Sequence, residues 1–275
     1  MRVLIIGDME GVCGINHWDQ VQAGGYLYEE GRNLYTGEIN AAAQGALKAG
    51  AERIVYIDGH GAGHREDSCK FNSCRFEQFD PAIEFVTHHR YLDYGEILRE
   101  GFDAAFFIGI HAREGTPGGV LSHTISTSIW RNIYFNDTVV GEIGVMSALV
   151  GSYGIPMVYI AGDEAACDEA RALLGKDLTT CAVKKGLSRF SALHQPIQVA
   201  RQNIRDGAAE ALGKLENAKP YIPGKPLTIR YDIQTVDKID GMFRGKPGLE
   251  IDDEALSVST TSEDFQDAWW KIFPL

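Results

Sequence analysis

Cysteine, basic runs and long apolar stretches are all scarce in this 275-residue chain, and each scarcity excludes something. The five cysteines, Cys13, Cys69, Cys74, Cys167 and Cys181, are odd in number and follow no framework spacing. A disulfide scaffold is therefore not expected, and a reducing, cytoplasmic setting is. Cys69 and Cys74 lie close to His60 and His64 in the sequence, which leaves a structural zinc clip open as a minor alternative. Lysine and arginine total 26 against 38 aspartates and glutamates, for a formal net charge of −12. An acidic chain without a basic run is a poor partner for nucleic acid or an anionic membrane surface. No segment approaches the roughly 20 apolar residues of a membrane span. The apolar run Val3 to Ile6 ends in Gly7-Asp8, too short for a signal-peptide core. There is no Gly-x-Ser-x-Gly elbow, no Walker-type loop, and no dinucleotide fingerprint after the first apolar run.

What is present suits a folded enzyme-sized domain. Hydrophobic residues make up 44% of the chain, enough for a substantial core. Short apolar runs at Val3 to Ile6, Ile54 to Ile57, Ala104 to Ile108 and Met157 to Ile160 read as buried parallel strands. Helical patterns lie between them. One is expected from Thr36 as cap to a stop at Gly50, and another over Ile143 to Tyr153. Asn136-Asp137 between two short β patterns marks a two-residue hairpin. The later chain predicts a helix over Ile197 to Leu215, strands over Leu227 to Ile233 and Ala255 to Thr260, and a short last helix over Ser262 to Trp270. The expected fold is three-layer αβα with a largely parallel sheet. A catalytic portion over residues 1–190 would be followed by a smaller α+β portion over 191–275, with a role in oligomer contacts.

In open parallel sheets, ligands bind beyond the carboxyl ends of the strands. The residues there are Asp8-Met9-Glu10-Gly11, Asp58-Gly59-His60-Gly61, Gly109-Ile110-His111-Ala112 and Gly162-Asp163-Glu164. Carboxylate or imidazole beside glycine recurs, and glycine lets backbone approach a ligand closely. Asp8 and Glu10 project to one side if the chain there is extended. Two bare carboxylates so close repel each other, and a cation between them removes the penalty. Capping of the following turn is the bland alternative for that pair. Carboxylate with imidazole suits zinc, manganese or iron better than magnesium or calcium.

His60 and His111 each follow a strand and are candidate ligands, with Asp58 positioned to orient the His60 ring. His64 is a less favoured neighbour of His60. His123 follows the glycine-rich loop Gly115-Thr116-Pro117-Gly118-Gly119, and its bland reading is an ordinary strand residue. Glu142 falls in a first helical turn, where acids are commonplace. His88 and His89, beside Arg90, read as surface, and His17 and His194 have no supporting context. Cys13 as a thiol nucleophile is disfavoured, because the adjacent carboxylates raise its pKa.

Asp8-Met9-Glu10-Gly11-Val12-Cys13-Gly14, Asp58-Gly59-His60-Gly61, His111-Ala112 with Gly115-Thr116, Leu121-Ser122-His123-Thr124, and Asn136 with Gly141-Glu142-Ile143-Gly144 resemble, in that order, the DppA-like D-aminopeptidases. These are metallopeptidases of the M55 type. The tail, with Thr260-Thr261 and Asp264, is also similar. The resemblance implies two zinc ions per subunit, held by a bridging Asp8 with Glu10, His60, His111 and Glu142, and His123 as the catalytic residue. It implies short peptide substrates with a free amino terminus, often D-configured, and a ring-shaped homo-oligomer, a decamer by family. Glu114 departs from the family pattern, where a small residue is usual, so the charge at the site entrance differs. A hydrolase acting on another amide or ester, and a non-enzymatic binding protein, remain as alternatives.

Overall fold

The apolar runs do become strands, and their register decides where the site lies. The computed structural model describes residues 1–62, 71–88 and 94–273. Its first half contains β1 (Arg2–Gly7), α1 (Trp18–Val21), α2 (Tyr28–Lys48), β2 (Arg53–Asp58), β3 (Ile83–Val86), α3 (Gly95–Arg99), β4 (Ala104–Ile110), β5 (Trp130–Phe135) and β6 (Thr138–Val140). The second half contains α4 (Glu142–Ser152), β7 (Met157–Asp163), α5 (Glu164–Leu174), β8 (Thr179–Ser188), β9 (Ser191–His194), α6 (Ile197–Gly213), β10 (Leu227–Ile233), α7 (Val236–Met242), β11 (Glu250–Asp252), β12 (Ser257–Ser262) and α8 (Phe265–Ile272).

Seven strands form one sheet in the order β3-β2-β1-β4-β7-β8-β9, parallel except for the β8-β9 hairpin at its edge. The chain leaves β1 toward β2 and β3, then returns to place β4 on the other side of β1. The switch point of the sheet therefore lies between β1 and β4, where open α/β sheets bind ligands. Gly7 pairs with both Asp58 and Ile108, so Asp8, Gly59 and Gly109 emerge side by side at one rim.

Alternation along the strands feeds two apolar layers. Val3, Ile5, Ile54, Tyr56 and Phe106 pack with α2 and α6 on one face. Leu4, Ile6, Val55, Ile57 and Phe107 pack with α4, α5 and α8 on the other. The fold is α/β, as expected, with a separate antiparallel sheet in the order β11-β12-β10-β5-β6. Its inward residues Ile133, Ile229, Tyr231 and Val258 share the second apolar layer.

Some expectations are corrected. Helix α2 begins at Tyr28, not Thr36. The Thr36 hydroxyl donates to the Arg32 carbonyl one turn back, so it is satisfied inside the helix rather than at its end. His123 is not a strand residue, since it lies in a turn-rich loop before β5. Across residue 190, the proposed boundary between the two portions, β8 pairs with β9, and β5 pairs with β10. His88 is buried, stacked on Phe71 at 4.5 Å and donating from Nε2 to the Asp58 carbonyl at 3.0 Å. His64, Cys69 and His89 lie outside the described residues, and with Cys69 the Cys69-Cys74 clip. Cys74 itself is buried and donates to the Tyr56 hydroxyl.

The loops after β1 and β4 are in direct contact. Asp8 N–H donates to the Ile108 carbonyl at 2.8 Å and Gly11 N–H to the Gly109 carbonyl at 2.7 Å. Gly109 has φ +78°, and a Cβ there would lie 2.0 Å from the Asp8 carbonyl oxygen. A side chain would add left-handed strain to a backbone clash. Gly109→Ala is expected to lower the unfolding free energy by at least about 1 kcal/mol, measured by urea denaturation.

Candidate metal centre

Each expected site residue is delivered by the end of a strand, a glycine-rich loop, or a helix start. Asp8 and Glu10 follow β1, His60 follows β2 and His111 follows β4. His123 lies in the loop after β4, and Glu142 opens α4. The structure brings all six together. Asp8, Glu10 and His60 form one group, and His111, His123 and Glu142 another, with the donor atoms of each group within 4.8 Å of one another. Asp8 joins the two groups. Its Oδ1 is 3.0 Å from His60 Nδ1, and its Oδ2 is 3.4 Å from His111 Nε2.

The imidazoles are held by backbone carbonyls. His60 Nε2 donates to Val21 O at 2.7 Å, His111 Nδ1 to Ala112 O at 2.8 Å, and His123 Nδ1 to Leu121 O at 2.9 Å. Each ring therefore directs its other nitrogen at carboxylate oxygens. His60 Nδ1 faces Asp8 and, at 3.1 Å, Glu10 Oε2. His111 Nε2 lies 3.3 Å and His123 Nε2 3.9 Å from Glu142 Oε1. A ring nitrogen whose partner already carries the proton offers a lone pair, and a lone pair facing a carboxylate is repulsive. Only a second proton or a cation relieves it. Asp8 Oδ2, Glu10 Oε2 and His111 Nε2 are buried and make no hydrogen bond of good geometry. The donor set thus fits a metal of the zinc type.

The electrostatics express the same conflict. Burial and the neighbouring Glu10 push the Asp8 carboxyl up to about 7, against the pull of His60. Burial penalises the Glu10 charge too, yet His60 outweighs it and holds that carboxyl well below its ordinary range. Burial opposes imidazolium at His60 and His111, but Glu10 and Asp8 lift the first, and Glu142 and Asp8 the second, well above the ordinary value. His123 moves the other way, lowered by burial and by its stacking neighbour His111, 4.2 Å away between ring centres.

The loop carrying His123 is fixed at several points. Leu121 and Ile125 adopt left-handed φ of 51° and 59°, a conformation sustained only where the surroundings over-determine it. Here the Leu121 N–H donates to Arg189 O, the Ile125 N–H to Glu142 Oε1 and the Val120 N–H to Asp163 Oδ2. Asp163, at the fourth strand end, caps α5 through Oδ1 and supports this loop instead of joining the cluster. Asp58 does not hold the His60 ring as expected. It accepts from the His60 backbone N–H, the Tyr35 hydroxyl and the Ser73 N–H, because the ring is turned toward Val21. Cys13 is a buried thiol pushed up to about 11, first by burial, and its Sγ donates to the Gln195 carbonyl.

The chain belongs to peptidase family M55, the D-aminopeptidases. The family model matches residues 1–273. A D-aminopeptidase of Bacillus subtilis (strain 168) is 28% identical over 270 residues, covering 98% of this chain and 94% of its own. The solved structure described as the Zn-dependent D-aminopeptidase DppA from Bacillus subtilis, a self-compartmentalizing protease, superposes with a TM-score of 0.88 at 26% identity. That match covers 99% of this chain and 95% of the DppA chain. The M55 chain is accordingly a metallo-aminopeptidase.

Three residues beside the cluster carry no signal in the sequence. Trp18 meets His123 edge to face at 5.7 Å, and Arg189 lies over Trp18 at 5.8 Å. Lys184 is buried beneath the β1 loop, and its Nζ donates to the carbonyls of Glu10, Val12 (2.9 Å) and Ile15 (2.7 Å). Burial lowers its pKa to about 8, against the opposing pull of Asp163 and Glu38. No periodicity marks Lys184, because the β7-β8 register shifts beside its partner Asp163. Lys184→Met leaves three carbonyls without their donor. It should lower the unfolding free energy by about 2–4 kcal/mol, read from the urea midpoint.

Proposed function

We propose that this chain is a zinc-dependent aminopeptidase with two ions per subunit, hydrolysing short peptides that carry a free amino terminus, D-configured residues among them. The observation that carries the reading is Asp8, whose two oxygens face the two separate groups of donors. Asp8 would be shared between the ions, with Glu10 and His60 completing one set and His111 and Glu142 the other. Zinc bound there supplies Lewis acidity and a nucleophile from water near neutral pH.

The remaining roles belong to the chain. The carbonyls of Val21 and Ala112 fix the tautomers of His60 and His111, so that the inward nitrogens stay available as ligands. Leu121 O does the same for His123, leaving Nε2 as the atom that holds or passes a proton to the departing amine. Trp18 packs edge to face against the His123 ring and limits its movement.

An assembly of subunits into a ring of ten is proposed with this function. The exposed apolar side chains Leu187, Phe190 and Leu193 near the β8-β9 hairpin support association. No described helix is long and apolar enough to cross a membrane. The buried free thiols of Cys13, Cys74, Cys167 and Cys181 support the cytoplasmic location expected from the sequence.

Zinc-loaded protein is expected to contain about two ions per chain by elemental analysis, and to cleave dipeptides but not their N-acetylated forms or phosphate esters. Asp8→Asn should lose metal and turnover together. His123→Ala should reduce kcat by at least about 100-fold while keeping its metal; loss of an ion in that variant would make His123 a ligand instead. Equal cleavage of the phosphate ester would overturn the peptidase assignment. Chelation should lower the melting temperature, and zinc should restore it, because the cluster's repulsion returns without the cation.

A further inference from the structure

Around the metal cluster, the basic side chains are disposed of differently. Lys184 is buried on three backbone carbonyls. Arg113 turns to the Glu114 carbonyl. Arg189, in the β8-β9 turn, keeps a partly exposed guanidinium beside the site. Its Nε and Nη2 donate to Ser122 O at 3.1 and 2.8 Å, which ties the head to the residue before His123. The aromatic rings of Trp18 and Phe190 hold its plane, with centroids 5.8 and 5.7 Å from Cζ. Nη2 also reaches Glu114 Oε2, a loose contact at 3.4 Å. Nη1 has no hydrogen-bond partner among the described residues. A guanidinium braced on two rings and a carbonyl, with donor capacity left over, is pre-organised to receive a planar anion.

Its position sets which anion. Trp18 is 5.8 Å from the guanidinium carbon and its ring centre is 5.7 Å from that of His123. The guanidinium thus lies no farther from the His123 ring than those two distances combined, a span of about three extended residues.

We propose that Arg189 is a specificity-determining residue that binds the free α-carboxylate of the substrate, one to three residues beyond the scissile bond. The enzyme then selects short peptides with both termini free, and the walls formed by Trp18 and the Arg189 turn set the length. Glu114 competes for the same guanidinium and moderates the preference. This inference rests on the aminopeptidase function proposed above.

The test uses the zinc-loaded full-length enzyme and compares alanyl-alanine with alanyl-alaninamide, in both configurations. The wild type should favour the free acid by about 10- to 100-fold in kcat/KM, the range for a charge-assisted pair, with the difference carried by KM. In Arg189→Gln that ratio should fall close to one, and Arg189→Lys should recover part of it as a point charge. Glu114→Gln should raise it. Metal content and melting temperature of each variant separate loss of recognition from loss of fold. Equal wild-type cleavage of acid and amide, or an unchanged ratio in Arg189→Gln, overturns this inference and leaves the aminopeptidase assignment standing. Failure of the wild type to cleave either compound overturns the aminopeptidase assignment itself.

Discussion

Three carboxylates, Asp8, Glu10 and Glu142, are held out of water within reach of three imidazoles whose second nitrogens are already committed to backbone carbonyls. Two like charges 4 Å apart cost about 4 kcal/mol at the effective dielectric of a protein surface, and removing each from water costs several more. The arrangement is tolerable only when positive charge is supplied between the groups. Two imidazolium protons would do so weakly, and divalent cations do so fully. The site is therefore a store of unfavourable electrostatics that the scaffold sustains and that a metal relieves.

The scaffold does this with backbone more than with side chains. The common register of β1, β2 and β4 places three loop starts at one level. Glycines 11 and 109 let the loops after β1 and β4 touch at distances no Cβ would allow. Lys184 gathers three carbonyls of the β1 loop on one ammonium from below, and Asp163 anchors the His123 loop from β7. The loops that carry the clustered carboxylates and imidazoles are thus tied to neighbouring strands. The exception is the side where Arg189 and Glu114 are partly exposed to solvent.

Much of this was legible in one dimension. Buried parallel strands betray themselves as short, fully apolar runs, and chemistry gathers after them. Asp8, His60 and His111 were readable because their local sequences contain both the strand and the glycine that ends it. Glu142 and His123 had only commonplace signals of their own, a first-turn acid and a histidine after a glycine loop, and gained meaning from the order of motifs. Asp58 was misjudged because tautomer and ring direction depend on Val21, 39 residues from His60. His88 was misjudged because the partner that buries it, Phe71, lies in another loop.

The amino-acid order by itself determined the alternation of strand and helix, the residues at each strand end, and the family, since these rest on local patterns of apolar spacing, glycine placement and short motifs. Only the tertiary structure decided that Asp8 stands between two groups of donors, that Lys184 and Arg189 belong to the site, and that strands on both sides of residue 190 share sheets. Those facts depend on strand order and on contacts between residues distant in the chain, such as Lys184 and Glu10. No local preference encodes such a contact. It forms only when the sheet is assembled and its loops are brought to one rim.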